Sequence, residues 1–334
     1  MKTDRSLANN INFLPEIGPK LFRSMKFIRE VEESIALKYP DGKMRCPTHL
    51  SIGQEAIAAG VCLALDPADQ IFSTHRAHAH YLAKGGSLKA MLAEIYGKAT
   101  GCCGGKGGSM HLIDLSANFL GSTAIVGNSI PIAVGAALTN QILNTGKVTC
   151  VFFGDAAIEE GVFHEAANFA ALRKLAVLFV CENNLYSVYS PLEVRQPAGR
   201  EIWRFVSGYG MKTAHGNGNN AAEVFNLTRD ALEHIRSGNG PCFLEFATYR
   251  WREHCGPNYD NELGYRTLQE FEEWKSRDPI AGLQRELQAN GVLDDAALLA
   301  LESDIKNEVA LAFKFAEESP FPGRERMTAE LFAE

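Results

Sequence analysis

Apolar residues at Leu21, Met25, Ile28, Val31 and Ile35 recur at three- and four-residue steps, a spacing that predicts an amphipathic helix packed on a core or a partner. The middle of the chain has another rhythm. Short runs rich in β-formers, Val148–Phe153 and Ala176–Glu182, flank a helical pattern over Glu159–Lys174. A third run, Cys242–Ala247, follows the helical stretch Ala221–Arg236 and a glycine-rich turn over Ser237–Gly240. Apolar runs that alternate with helices predict stacked βαβ units on a parallel sheet. Beyond Thr267 the pattern is helical only, with Thr267 and Glu270 spaced as a capping box and Asn290-Gly291 as a helix stop. The expected organisation is one α/β domain over residues 1–334, a twisted parallel sheet with helices on both faces, its core running from about 40 to 255 and its helical C-terminal part from about 267 to 334.

Composition narrows the possible partners. With 46% hydrophobic and 22% charged residues in a chain of 334, a sizeable core is expected, which excludes a disordered chain or a small disulfide scaffold. An excess of 40 acidic over 33 basic residues leaves a formal net charge of -7, so nucleic acid and anionic membranes are not expected partners. The longest apolar stretches, such as 56–65 and 175–181, fall well short of the ~20 residues that span a bilayer. Asp4, Arg5, Asn9, Asn10 and Asn12 interrupt any secretory core, so a cytoplasmic location is expected. The eight cysteines contain no CxxC pair and read as free thiols.

Candidate chemistry sits where the apolar runs end. Gly154-Asp155 follows the first run and Asn183-Asn184 the second. If the two strands are parallel and joined by a right-handed crossover, both segments leave at one carboxyl edge, where open α/β sheets bind ligands. Asp and Asn side chains with a backbone carbonyl are hard oxygen donors suited to Mg²⁺ carrying phosphate oxygens. The amides opening the helix after Asp155 would face the same anion. On the residues alone, this is either a magnesium-pyrophosphate site or two ordinary strand-to-helix turns. A competing cluster is His75, His78 and His80, whose HxxHxH spacing is a candidate zinc site of a hydrolase, although no acidic or cysteine ligand adjoins it and Arg76 lies inside it. The glycines at 101, 104, 105, 107 and 108 lack the spacing of a phosphate loop. They read as flexible backbone passing close to a cofactor or a second subunit.

Longer phrases decide between these readings. Gly154-Asp155-Ala156-Ala157 through Glu182-Asn183-Asn184-Leu185-Tyr186 resembles the thiamine diphosphate motif, which opens on Gly-Asp-Gly and closes on Asn-Asn; here Asp155 and Asn184 stand 29 residues apart. Thr48-His49-Leu50-Ser51-Ile52-Gly53-Gln54-Glu55, Gly104-Gly105-Lys106-Gly107-Gly108-Ser109-Met110-His111 and Tyr265-Arg266-Thr267 accompany it in order. From about Leu21 to about Ile280 the chain is similar to the α subunit of the first component of 2-oxo acid dehydrogenase complexes and of acetoin dehydrogenase.

The resemblance implies a thiamine diphosphate-binding fold with thiamine diphosphate and Mg²⁺ as cofactors. Asp155 and Asn184 would ligate the metal by side chain and Tyr186 by its carbonyl, with Gly154, Ala156 and Ala157 in the turn against the cofactor. Arg76 would hold the diphosphate, as a guanidinium fork can, and His75 stands beside it where the family often has an aromatic residue. Ala124 and Val126 would line the cofactor. His254 would lie in a loop over it, and His49 would be the substrate-side proton donor or acceptor, a role a near-neutral imidazole suits. Ala156 and Ala124 occupy positions that are often glycine, which a methyl group tolerates where φ is not positive. Glu253 and Cys255 flank His254 in place of the usual Gly and Ser, so phosphorylation of that serine is not expected.

The same resemblance implies an oxidoreductase that decarboxylates a pyruvate-like 2-oxo acid or cleaves acetoin. It also implies a β subunit supplying the activating glutamate in an α2β2 heterotetramer, with the glycine-rich segment and terminal helices at interfaces, and a lipoyl-bearing acyltransferase receiving the acyl group. His78-Ala79-His80 with Lys84-Gly85-Gly86, and Ala93–Lys98, are closer to the acetoin and pyruvate branches than to the branched-chain branch. The alternatives are a thiamine-dependent carboligase or decarboxylase without a lipoyl complex, the zinc hydrolase, and a non-catalytic subunit that has lost the cofactor.

Overall fold

A computed structural model of the chain describes residues 13–329. Six strands, β1 (Gln70–Ser73), β2 (Phe119–Ser122), β3 (Thr149–Gly154), β4 (Val177–Asn183), β5 (Lys212–Asn217) and β6 (Cys242–Ala247), form one sheet in the order β2-β1-β3-β4-β6-β5. Every pair in it is parallel. The principal helices are α1 (Gly18–Lys38), α2 (Glu55–Ala64), α3 (His78–Ala83), α4 (Leu88–Ile95), α5 (Ser129–Ile142), α6 (Gly161–Arg173), α7 (Ala221–Arg236), α8 (Leu268–Lys275), α9 (Pro279–Ala289) and α10 (Asp295–Glu318).

Strand side chains alternate between two cores, as a sheet covered on both faces requires. Cys150 and Phe152 of β3 and Leu178 and Val180 of β4 join α2, α4, α7 and α10 on one face. Val151, Phe153, Phe179 and Cys181 join α5 and α6 on the other. The five apolar positions of α1 are fully buried against this protein's own core. Leu21 and Met25 pack in an outer cluster with Ala56, Ala59, Ile280, Leu283 and Leu287, so α9 returns to cover the N-terminal helix. No helix among the described residues is long and apolar enough to cross a membrane.

The expected strands at β3, β4 and β6 and the helices at α1 and α7 are present, with ends displaced by at most a few residues. Three strands carried no readable pattern. β1 is only four residues long, and the edge strands β2 and β5 include Gly121, Ser122, Lys212 and His215, residues that give neither an apolar run nor a clean alternation. The helix expected from Glu159 begins at Gly161, because Asp155–Glu159 forms a 3-10 turn. Its amides therefore do not open directly at Asp155. The capping box is half formed: the Thr267 hydroxyl accepts the Glu270 N–H at 3.0 Å, while the Glu270 carboxylate is engaged elsewhere.

The glycine-rich segment differs most from its expected flexibility. Glu94, fully buried at the end of α4, accepts four backbone N–H groups from it: Cys103 and Gly105 at 2.8 Å on one oxygen, Gly107 at 2.6 Å and Gly108 at 3.1 Å on the other. Two of the wrapping positions do not accept a side chain. A Cβ on Gly107 would lie 2.1 Å from the His111 carbonyl oxygen, and Gly105 has φ +82°. Glu94→Gln places an amide donor among these N–H groups. It should cost about 2–4 kcal/mol of stability, read as a lower urea midpoint with faster hydrogen exchange at 105–108. An unchanged midpoint and exchange pattern would show that Glu94 does not organise the segment.

Candidate active site

Strand order reverses between β1 and β3, and a cavity opens at their carboxyl ends, where ligands of doubly wound sheets bind. About 890 Å³ of non-atom space, open solvent included, lies within its lining. Five strands deliver residues to this edge: β1 leads into His75 and Arg76, β2 into Ala124 and Val126, and β3 into Gly154, Asp155, Ala156 and Ala157. β4 leads into Asn184 and Tyr186, and β6 into the loop carrying His254. His49 arrives from the segment before α2. All twelve sequence-derived residues line this one cavity.

The oxygen donors are at the β3 and β4 exits. Asp155 is buried, and burial pushes its carboxyl pKa up against the opposing pull of Arg195. Arg195 pairs with Asp155 and, at 2.6 Å, with Glu159, which Gln196 also reaches at 3.1 Å. The Asn184 amide is aimed at both ends: its Nδ2 donates to Gln54 Oε1 at 3.0 Å, and its Oδ1 accepts the Tyr186 N–H at 3.3 Å. A fixed carboxylate, a fixed amide oxygen and a nearby backbone carbonyl are the hard donor set that a divalent cation such as Mg²⁺ accepts. Ala156 and Ala124 are absent from the non-glycine residues with positive φ, so neither alanine strains the turn that holds it.

The same cavity is lined by a cation whose guanidinium hydrogen-bonds no carboxylate. Arg76 is buried; its Nη1 donates to the Leu50 carbonyl at 2.6 Å and its Nη2 to the His254 carbonyl at 3.2 Å. Burial, then the Arg250 charge, lowers its pKa to about 10. No ion pair to it is formed among the described residues. A buried guanidinium satisfied only by carbonyls favours an anion beside it. A ligand that carries both phosphate oxygens and a divalent metal would find a cationic group and hard oxygen donors in this one cavity.

Three imidazoles crowd the same side. Ring centroids of His49 and His75 are 4.6 Å apart, of His49 and His254 5.0 Å, and of His75 and His254 5.4 Å. Burial first, then Arg76, lowers their pKa values to about 2 for His49, about 4 for His75 and about 3 for His254, so all three are neutral at pH 7. The His75, His78 and His80 zinc site is not formed, because residues two apart on a helix turn do not share a face. His78 is buried between Glu32 at 3.4 Å and Ser109 at 2.8 Å, and His80 between Ser73 at 2.8 Å and Glu182 at 3.3 Å.

Gln54, Glu182 and Arg195 are site-forming residues that sequence reasoning did not single out. Gln54 and Glu182 stand inside the Thr48–Glu55 and Glu182–Tyr186 motifs, whereas Arg195 stands in a stretch with no periodicity and reaches Asp155 across 40 positions.

The neutral histidines fix the sign of a pH effect. Below the ordinary value of 6.5 the unfolded chain takes up protons that the folded imidazoles refuse until about pH 4 or lower. Stability therefore falls as pH drops through this window. His49→Gln removes one such group, and the slope of unfolding free energy against pH should flatten by up to about 1.4 kcal/mol per pH unit. Denaturant titrations at several pH values measure it; an unchanged slope would mean that His49 charges normally in the folded protein.

Comparison with known proteins gives the family. The family model described as "Dehydrogenase E1 component" matches residues 23–325. The chain is 38% identical to the chloroplastic pyruvate dehydrogenase E1 component subunit alpha-3 of Arabidopsis thaliana, over 99% of this chain and 78% of that one. It is 34% identical to the pyruvate dehydrogenase E1 component subunit alpha of Rickettsia bellii, over 94% and 95%. To the alpha subunit of acetoin:2,6-dichlorophenolindophenol oxidoreductase of Bacillus subtilis it is 37% identical, over 93% and 92%. The chain belongs to the dehydrogenase E1 component family, whose members use thiamine diphosphate with a divalent metal ion.

Proposed function

We propose that this chain is the α subunit of a thiamine diphosphate- and Mg²⁺-dependent oxidoreductase that decarboxylates a pyruvate-like 2-oxo acid or cleaves acetoin. The observation that carries the reading is the pairing, across one cavity, of oxygen donors at the exits of two adjacent parallel strands with the buried, carboxylate-free Arg76. Asp155 and Asn184 hold the metal by side chain and Tyr186 by its carbonyl. Arg76 and His75 hold the diphosphate, and Ala124, Val126, Gly154, Ala156 and Ala157 close around the cofactor. His49 and His254, adjacent in the cavity, are the proton-moving candidates; burial and Arg76 hold their pKa values at about 2 and about 3, far below the near-neutral value that role favours, so a bound anion that offsets Arg76 is needed to raise them. When bound, thiamine diphosphate supplies the nucleophilic carbon and the electron sink that break a carbon-carbon bond next to a carbonyl.

An α-type chain works with a β-type chain. We take the assembly to be α2β2, with the activating glutamate on β and the acyl group passed to a lipoyl-bearing acyltransferase. Exposed Ile132 of α5 and Phe169 and Leu172 of α6, beside a groove lined by Pro131, Val134 and Val162, support a partner contact on that face. The chain is read as one domain, because its terminal helices share the sheet's core. Its eight free cysteines suit a reducing compartment such as the cytosol.

Calorimetric titration of the αβ assembly with Mg²⁺ and thiamine diphosphate tests the reading. Asp155→Ala should abolish measurable binding of both, and Arg76→Gln should weaken thiamine diphosphate by about 10- to 100-fold, the loss of a charged hydrogen-bonding fork. Binding that survives Asp155→Ala unchanged would refute the site.

A further inference from the structure

Tyr186 sits in a strained turn. Leu185 has φ +73° and Val188 φ +55°, left-handed values rare for any side chain and an outlier for a β-branched one. Such strain persists only where the surroundings over-determine the backbone. Within the turn, Asn183 Oδ1 accepts the Leu185 N–H at 3.2 Å, and the Leu192 N–H donates to the Leu185 carbonyl at 2.8 Å. From outside it, Arg250 Nη2 donates to the Val188 carbonyl at 2.7 Å. These bonds hold the neighbours of Tyr186. The residue itself is held from outside the turn through its side chain, whose hydroxyl donates to Glu270 at 2.8 Å and 3.0 Å on the two carboxylate oxygens.

Glu270 comes from α8, 84 positions further along the chain. Its carboxylate turns away from the helix start, leaving the Thr267 hydroxyl to cap its N–H. The Tyr186 ring is buried, with Tyr249 and Tyr265 edge-on at 6.2 Å and 5.3 Å. A ring clamped at its hydroxyl and fixed on its faces leaves its own carbonyl little rotational freedom.

We propose that Glu270 is a positioning residue for the metal site, holding the strained turn in which Tyr186 presents its carbonyl to the cation. The assignment rests on Asp155, Asn184 and Tyr186 being the ligands. Glu270 does not itself touch the metal; it acts through the Tyr186 side chain, and it makes the C-terminal helices part of the cofactor site.

The experiment measures Mg²⁺ dissociation constants by calorimetry at saturating thiamine diphosphate on the assembled αβ protein, with the cofactor-free melting temperature of each variant beside them. Tyr186→Phe removes the hydroxyl and keeps the carbonyl; Glu270→Leu removes the acceptor; Glu270→Gln keeps an acceptor oxygen. Tyr186→Phe and Glu270→Leu should each weaken Mg²⁺ by about tenfold, as loss of an outer-sphere orienting group does. The double variant should be no weaker than either single one, and Glu270→Gln should stay within about twofold of the parent, the rescue expected when an acceptor oxygen is retained. Lowered melting temperatures with unchanged Mg²⁺ constants, or effects that add in the double variant, overturn the proposal. Asp155→Ala separates the premise from the inference. If it binds Mg²⁺ like the parent, the ligand assignment falls. If it fails to bind while Tyr186→Phe and Glu270→Leu bind normally, only the role of Glu270 falls.

Discussion

Buried charge must be compensated where it stands, and this constraint organises the edge of the sheet at which β1, β3, β4 and β6 end. A parallel sheet sends all its exit loops to that edge, so acids and bases far apart in the chain are collected there without a dedicated scaffold. Each is dealt with differently. Asp155 is matched by Arg195, Asp260 by Arg250 at 3.5 Å and by Arg266, and the three imidazoles are held neutral. Among the described residues the Arg76 guanidinium hydrogen-bonds only carbonyls, with Glu32 and Glu182 acting on it through their charge alone. The cavity is thereby polarised, cationic toward β1 and rich in oxygen donors toward β3 and β4. A ligand carrying an anion and a bound cation enters such a field in one orientation.

Legibility in the sequence followed the physics of each element. β3, β4 and β6 are buried on both faces, so each reads as an apolar run, and α1 and α7 show one apolar stripe because one face meets the core. β1 is central but too short to establish a period, while β2 and β5 are edge strands whose exposed side imposes no pattern. Asp155 and Asn184 were readable because they stand at strand exits, which local sequence reveals. Arg195 was not, since its partner is chosen by the path of the loop after Asn184.

The two cases where composition misled have one cause. Glycine at 104, 105, 107 and 108 signals permissive backbone, which local sequence does not distinguish from mobility. In the fold the same freedom lets the backbone close on the Glu94 carboxylate, a partner on a preceding helix that gives no local sign of its role. The histidines at 75, 78 and 80 signalled convergence by spacing, yet α3 turns His78 and His80 into separate buried pairs and leaves His75 to join His49 and His254. In both, short-range pattern gave the chemistry available but not the partner.

What joins these observations is that the cofactor edge is stiffened from behind. The strained turn after Asn184 carries two left-handed residues, and a turn so unfavourable locally would relax if it depended on its own hydrogen bonds. Its anchors come from later in the chain: Arg250 beyond β6 and Glu270 on α8. Arg250 is itself fixed by Tyr265 at 2.9 Å and by Asp260, so the loop that brings His254 over the cavity and the loop that brings Tyr186 beneath it share one set of supports. Disturbing either loop therefore disturbs the other. On the proposed ligand assignment, the helices after residue 267, which line none of the cavity, help to hold the oxygen donors in place.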